Sequence, residues 1–140
     1  MAQVMTAEEL QAFLAVEFPQ VAHQFTVVEA GEGRTVVRLE AGEEHLRPGG
    51  TVSGPTMFAL ADVAMYLAIL AQIGPKALAV TTNCAIDFMR KPPPGTLLAT
   101  CRVLKLGRQL AVGDVLLHAP GGEDRPVARA GMTYSIPPEG

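Results

Sequence analysis

Residues 55–74 read PTMFALADVAMYLAILAQIG, a long and almost wholly apolar stretch. It begins with a proline, which is favoured in the first turn of a helix, and it ends in a glycine followed by Pro75, which stops one. We predict a single helix of about five turns over residues 55–72. Because this helix is apolar nearly all round, other structure should enclose it.

A membrane span is the alternative for this stretch, because it approaches the ~20 residues that a bilayer requires. Asp62 lies near its middle, however, and no belts of Lys or Arg flank it, which is unfavourable or unusual for a span. The N-terminal residues 1–11 carry Glu8 and Glu9 but no basic residue, the wrong order of charge for a secretory signal. We therefore predict a core helix in a cytoplasmic protein with no membrane partner.

Strand-like segments lie on both sides of the helix. They are preceded by a short helix from Ala7 to about Glu17, which begins at a capping box of Thr6 and Glu9. The β-patterned segments are residues 24–29, 34–40, 78–88, 96–106, 108–118 and 126–136. We predict an α+β fold in which residues 1–140 form one domain and an antiparallel sheet of about six strands wraps around the long helix. The last four strands should follow one another as an antiparallel meander.

The amino-acid composition indicates which kinds of partner the chain can bind. Hydrophobic residues make up 49% and charged residues 18%, a balance that suits a chain burying surface against a copy of itself. The formal net charge is -3 and the eleven Lys and Arg residues are spread out, which excludes a nucleic-acid partner. Cys84 and Cys101 lie in predicted strands at a spacing typical of neither a disulfide framework nor a metal site. We expect both thiols to be reduced and no metal to bind.

Asp62 is the first candidate for chemistry. A carboxylate inside an apolar helix must find partners or take up a proton, because burying a charge costs several kcal/mol. Such a cost favours a functional explanation. The structural alternative is that Asp62 binds loop amides or lies at a polar seam between subunits.

The start of the same helix is the second candidate. Backbone N–H groups near Gly54 lack intrahelical acceptors, and the helix dipole favours negative charge there. Gly54 could therefore donate to the oxygen of a reacting carbonyl, since no side chain blocks the approach. The alternative is that Gly49, Gly50 and Gly54 only shape a tight turn.

Spacing separates the two candidates within one chain. Asp62 follows Gly54 by eight residues, ~12 Å along a helix axis at 1.5 Å per residue, whereas reacting atoms must come within about 3–3.5 Å. If both act on one carbonyl, they come from different subunits. Two antiparallel copies of the helix would form two equivalent sites per dimer.

Several motifs together resemble a known family. They are the loop at residues 45–55 (HLRPGGTVSGP), Leu60-Ala61-Asp62, Ala79-Val80-Thr81, residues 86–92 (IDFMRKP), Gly107-Arg108, and residues 127–130 (VARA) followed by Tyr134. Over about residues 25–136 they resemble the phenylacetate-pathway (PaaI-like) group of hotdog-fold acyl-CoA thioesterases. The resemblance implies that Gly54 N–H polarises the thioester carbonyl and that Asp62 attacks it or activates a water. It implies no cofactor beyond the CoA of the substrate.

Two positions depart from the family pattern. Ser53 stands where the family usually has His, and Arg47 stands where it often has Asn. The Ser53 hydroxyl could hold the loop or a water; without a positioned base it is a poor nucleophile. Arg47 could bind an anionic part of the substrate or face solvent.

The resemblance also suggests binding residues. Arg90, Lys91 and Arg108 are candidates for the CoA phosphates, with solvated strand ends as the alternative for each. Thr81 and Tyr66 are candidates for the acyl pocket, with core packing as the alternative.

Two other functions compete. A hydratase or dehydratase of the same fold is disfavoured because residues 54–72 contain no His. A non-catalytic acyl-CoA binding or sensing domain is favoured by the replaced His but disfavoured by Asp62. Acyl preference, and whether a homodimer pairs further into a tetramer, stay open from the sequence.

Overall fold

The computed structural model of the protein describes residues 1–138. In it one antiparallel sheet of six strands lies around a helix of 20 residues, so the predicted α+β hotdog arrangement is confirmed. The elements are α1 (Ala7–Glu17), α2 (Pro19–Ala22), β1 (Phe25–Gly31), β2 (Arg34–Ala41), a single 3-10 turn (Glu43–His45), α3 (Gly54–Ile73), β3 (Val80–Phe88), β4 (Gly95–Leu106), β5 (Leu110–His118) and β6 (Ala128–Ser135).

Helix α3 is the core of the molecule. It is long and apolar enough to cross a membrane, yet the sheet covers it, and Leu60, Ala64 and Leu67 are fully buried. It approaches the sheet closely at Gly113 of β5, where an added Cβ would lie 2.6 Å from the sulfur of Met65. The absence of a side chain at Gly113 thus lets α3 lie tightly against the sheet.

The strand order is β1-β2-β4-β5-β6-β3. The predicted meander is therefore right for β4, β5 and β6 but wrong for β3, which pairs with β6 instead of β4. Three consecutive prolines, Pro92, Pro93 and Pro94, separate β3 from β4. Their fixed φ and missing N–H groups do not suit a tight hairpin, and the chain passes β6 and β5 to the interior of the sheet, where β4 pairs with β2 and β5.

A bulge in β3 changes which of its side chains face the helix. Strict alternation along the predicted strand 78–88 would place Thr82 on the same face as Cys84. The register shifts between Thr81 and Asn83, so Thr82 is exposed, whereas Thr81 and Cys84 are both half-buried. Bulges commonly redirect a side chain in this way, and here the side chain that turns toward α3 is Thr81.

The two edges of the sheet differ. At the β1 edge, the side chain of Gln11 from α1 donates to the Phe25 carbonyl (3.0 Å) and accepts from Val27 N–H (2.7 Å), and Gln3 donates to the Ala30 carbonyl (3.1 Å). At the other edge, β3 pairs on one side only within residues 1–138, and its terminal residues Val80 and Phe88 are 56% and 50% exposed. One edge is thus covered by side chains, and the other is open, with an exposed apolar side chain at each end of its strand.

Cys84 and Cys101 are both free thiols in the described structure. Cys101 is fully buried in β4, and burial, with a smaller effect from Asp114, raises the pKa of its thiol to about 12. It is a core residue.

Candidate functional site

The carboxylate of Asp62 is held by one of its two oxygens. Oδ1 accepts hydrogen bonds from Thr81 Oγ1 (2.5 Å) and from the Tyr134 hydroxyl (2.7 Å), which also lies 3.1 Å from the Asp62 carbonyl oxygen. Oδ2 makes no hydrogen bond within residues 1–138 and is not among the buried unpaired atoms. Oδ2 is therefore the oxygen that is accessible for chemistry.

The two hydroxyl donors come from neighbouring strands. Thr81 reaches Asp62 because the β3 bulge turns it inward, and Tyr134 follows Ala130 and Met132 on the face of β6 that packs against α3. Burial raises the pKa of the Tyr134 hydroxyl above its ordinary value, and the charge of Asp62 raises it further. Tyr134 thus keeps its proton and remains a donor to the carboxylate at neutral pH.

A cavity of about 360 Å³ opens beside Asp62, and we call it the Asp62 cavity. Tyr66 and Thr81, the two candidates for the acyl pocket, both line it. Its remaining lining residues are Glu17, Phe18, Val63, Ala77, Leu78, Ala79, Val80 and Tyr134. The Tyr66 hydroxyl donates to the Ala77 carbonyl at 2.9 Å, and its ring lies 6.2 Å from that of Tyr134. The lining is mostly apolar and aromatic.

Gly54 provides the one unused amide at the start of α3. Pro55 has no N–H, Thr56 N–H donates to Ser53 Oγ (3.3 Å), and Met57 N–H donates to the Ser53 carbonyl (3.1 Å). For the Gly54 amide no acceptor exists in the described part of the chain. Within residues 1–138 the Gly54 N–H is thus an unpaired hydrogen-bond donor at the positive end of the helix dipole.

Ser53 acts as the N-cap of α3. Besides capping Thr56 N–H, its hydroxyl donates to Thr56 Oγ1 at 2.9 Å, and its own N–H donates to the His45 carbonyl at 2.9 Å. Through these contacts Ser53 joins the loop to the first turn of α3.

A second cavity, of about 330 Å³, surrounds Gly54, and we call it the Gly54 cavity. Arg47, Arg90 and Lys91 bring three positive charges to it. It is also lined by Thr51, Val52, Met57, Phe88 and Met89. The ring of Phe88 would lie 3.5 Å from a Cβ placed on Gly54, so it covers the helix start. Cations beside a helix N-terminus suit a phosphorylated or otherwise anionic ligand.

The predicted site residues therefore fall into separate groups. Asp62, Tyr66 and Thr81 share one cavity, and Gly54, Arg47, Arg90 and Lys91 share another, with no lining residue in common. Arg108 lies in a third cavity of about 720 Å³, between the end of α3 and the β4–β5 turn. Within a single chain the candidate residues thus line separate cavities and do not meet at one point.

The sequence did not identify Tyr134 as a partner of Asp62. One signal was available, because Tyr134 is a hydroxyl-bearing residue in the otherwise apolar inward set of β6, and a buried hydroxyl requires a partner. No sequence signal indicated the β3 bulge, and none indicated that Glu17 and Phe18 line the Asp62 cavity. Both depend on how distant segments pack.

The chain is similar to known proteins in both sequence and structure. The model of the family described as the thioesterase superfamily matches residues 49–125. A Pseudomonas aeruginosa protein whose name is that of an esterase is 35% identical over 103 residues, covering 73% of this chain and 75% of that protein.

Two solved structures are also similar. A protein from Silicibacter sp. TM1040, named as a thioesterase, is 55% identical with a TM-score of 0.90, covering 99% of this chain and 96% of that chain. A mutant of the phenylacetic acid degradation protein PaaI from Thermus thermophilus is 29% identical with a TM-score of 0.73, covering 85% of this chain and 99% of that chain. These likenesses confirm the resemblance seen in the sequence motifs.

Proposed function

The chain belongs to the thioesterase superfamily and is by class a thioester hydrolase, and from this premise we propose that it hydrolyses acyl-CoA thioesters in a homodimer. Each site would contain Asp62 of one subunit and the Gly54 amide of the partner subunit. The observation that carries the proposal is the asymmetry of the carboxylate, since Oδ1 is fixed by two hydroxyls while Oδ2 is accessible.

The chemistry requires one reactive oxygen and one oxyanion donor. Oδ2 either attacks the thioester carbonyl carbon, expelling CoA thiolate and leaving a mixed anhydride that water cleaves, or removes a proton from the water that attacks. Both routes use the same placement of the carboxylate. In either route Gly54 N–H donates to the negative charge that develops on the carbonyl oxygen.

The open edge of β3 supports a shared site. Val80 and Thr81, at the start of β3, line the Asp62 cavity, and Phe88, at its end, lines the Gly54 cavity. A two-fold axis beside the middle of this strand would pair it antiparallel with its copy, so that the start of each strand meets the end of the other. Each Asp62 cavity would then join the Gly54 cavity of the partner subunit.

The difference between the two sheet edges favours a closed dimer. A strand edge with free backbone groups and apolar side chains pairs readily with another chain. Because Gln11 and Gln3 occupy backbone groups at the β1 edge, β3 is the edge left for self-association. Pairing of β3 with β3 uses up the open edge of both subunits.

The charges of the two cavities indicate which part of the substrate each cavity would bind. Arg47, Arg90 and Lys91 in the Gly54 cavity suit the phosphates of CoA, whereas the apolar Asp62 cavity suits the acyl group. The scissile carbonyl would lie where the two cavities meet. CoA is then part of the substrate, and the reaction needs no further cofactor.

Release of free CoA from a panel of short, long and aromatic acyl-CoAs tests the proposal. Asp62→Asn keeps the size of the side chain but removes the reactive carboxylate, so we expect kcat to fall by about 10²–10⁴-fold while substrate still binds. If the wild type binds acyl-CoAs and hydrolyses none, the chain is a binding domain and the proposal is wrong.

A further inference from the structure

The Asp62 cavity has an uneven distribution of charge. Two carboxylates, Asp62 and Glu17, line it, and its lining contains no Lys, Arg or His. Lys76, which directly precedes the lining residue Ala77 in the sequence, lines a different cavity, the one at the end of α3 that also contains Arg108. The remaining wall is apolar, small or aromatic. A ligand group in this cavity therefore encounters negative charge and no lining cation.

Glu17 lines this cavity from the junction of α1 and α2. It is the last residue of α1, and Phe18, which also lines the cavity, caps α1 and leads directly into Pro19 at the start of α2. The charge of Glu17 is felt inside the cavity, because it adds to the effect of burial in raising the pKa of Tyr66. The Glu17 side chain is exposed, so a ligand group that enters the cavity can approach it.

We propose that Glu17 is a specificity residue that excludes acyl groups ending in a carboxylate, so that the enzyme selects neutral acyl groups. The inference rests on the proposed function, since it requires the acyl group to occupy the Asp62 cavity. Asp62 is needed for the reaction whatever the acyl group. Glu17 is not, and its charge adds discrimination only against acyl groups that carry negative charge.

The expected size of the effect follows from simple electrostatics. Two like charges several ångströms apart at a partly solvated site repel by an amount equivalent to about 3- to 10-fold in a rate or binding constant, and added salt weakens this repulsion. A neutral acyl chain of the same length is not subject to it. Discrimination between the two substrates should therefore depend on both Glu17 and ionic strength.

A matched pair of substrates tests the inference. Hexanoyl-CoA and adipoyl-CoA have the same number of acyl carbons and differ by the terminal carboxylate. We would measure kcat/KM for both with the wild type, Glu17→Gln and Glu17→Lys. The control is Glu8→Lys, which makes the same charge change on the exposed first turn of α1, ~13 Å away at 1.5 Å per residue.

We expect the adipoyl to hexanoyl ratio of kcat/KM to rise about 3- to 10-fold in Glu17→Gln and further in Glu17→Lys, and to change little in Glu8→Lys. The difference between wild type and Glu17→Gln should shrink in high salt. If the wild type hydrolyses hexanoyl-CoA but Glu17 variants leave the ratio unchanged, this inference is wrong and the proposed function stands. If the wild type hydrolyses neither of these two substrates nor any other acyl-CoA of the panel, both this inference and the proposed function are overturned.

Discussion

Asp62 shows how much can be predicted from one charged residue within an apolar helix. A carboxylate in an apolar helix indicated a functional site, and the spacing from Gly54 indicated that this site is incomplete in one chain; both inferences needed only the cost of burying charge and the rise of a helix. The identity of its hydroxyl partners could not be predicted in the same way. Tyr134 lies 72 residues further along the chain, and Thr81 faces Asp62 only because of a bulge.

Removing the Tyr134 hydroxyl should affect the reaction more than binding. In Tyr134→Phe, Oδ1 of Asp62 loses one of two donors, and the carboxylate is less firmly oriented. A hydrogen bond to a charged group contributes about 1.5–3 kcal/mol, so we expect kcat to fall by about 10- to 100-fold with little change in KM. Steady-state kinetics on the best acyl-CoA substrate provide the measurement.

Thr35→Val is the matched control for this variant. Thr35 is fully buried and its hydroxyl donates to the Ala64 carbonyl of α3 at 2.9 Å, two residues from Asp62 but without contact to the carboxylate. Thr35→Val should lower the unfolding temperature and leave kcat close to that of the wild type. Equal losses of kcat in both variants would show that Tyr134 only stabilises the fold.

At the scale of elements, local patterns predicted what each segment becomes but not where it lies in the sheet. The helix predicted over residues 55–72 spans Gly54–Ile73, and the capping box of Thr6 and Glu9 begins α1 as expected. The place of β3 beside β6 was not predictable from its alternation. Strand order depends on the path of the connections, such as the triple proline segment between β3 and β4, and the pattern of one strand does not encode its neighbours.

Gln11 should determine how the β1 edge behaves. In Gln11→Ala, the Phe25 carbonyl and the Val27 N–H lose their side-chain partner, so we expect a loss of about 1–2 kcal/mol of stability. The exposed edge should also allow association beyond a dimer. Thermal unfolding and light scattering measure the two effects, with Glu8→Ala on the same helix as the control. A Gln11→Ala protein with wild-type unfolding and scattering would mean that this side chain does not protect the edge.

At the scale of the whole molecule, the division of the candidate site into two cavities follows from the length of α3. Its N-terminus presents an amide and its middle presents a carboxylate, and the helix holds them too far apart to meet on one carbonyl. The open β3 edge supplies the means by which a second copy could bring them together. The family and the separation of Asp62 from Gly54 follow from the sequence, whereas the opposite charges of the two cavities required the packed structure.

Complementation between two inactive variants tests the shared site most directly. Asp62→Asn removes the carboxylate, and Gly54→Pro removes the amide hydrogen at a first-turn position where proline is tolerated. Gly54→Ala is the control, because it keeps the N–H and its Cβ would be in ordinary contact with Phe88 at 3.5 Å. Circular dichroism of each variant would verify that the helix is intact.

In a heterodimer of Asp62→Asn and Gly54→Pro, one site combines an intact Asp62 with an intact Gly54, and the other site has neither. With different affinity tags on the two chains, the purified heterodimer should therefore regain about half of the wild-type activity per dimer, while each parent homodimer is nearly inactive. A heterodimer no more active than its parents would contradict a site shared between subunits.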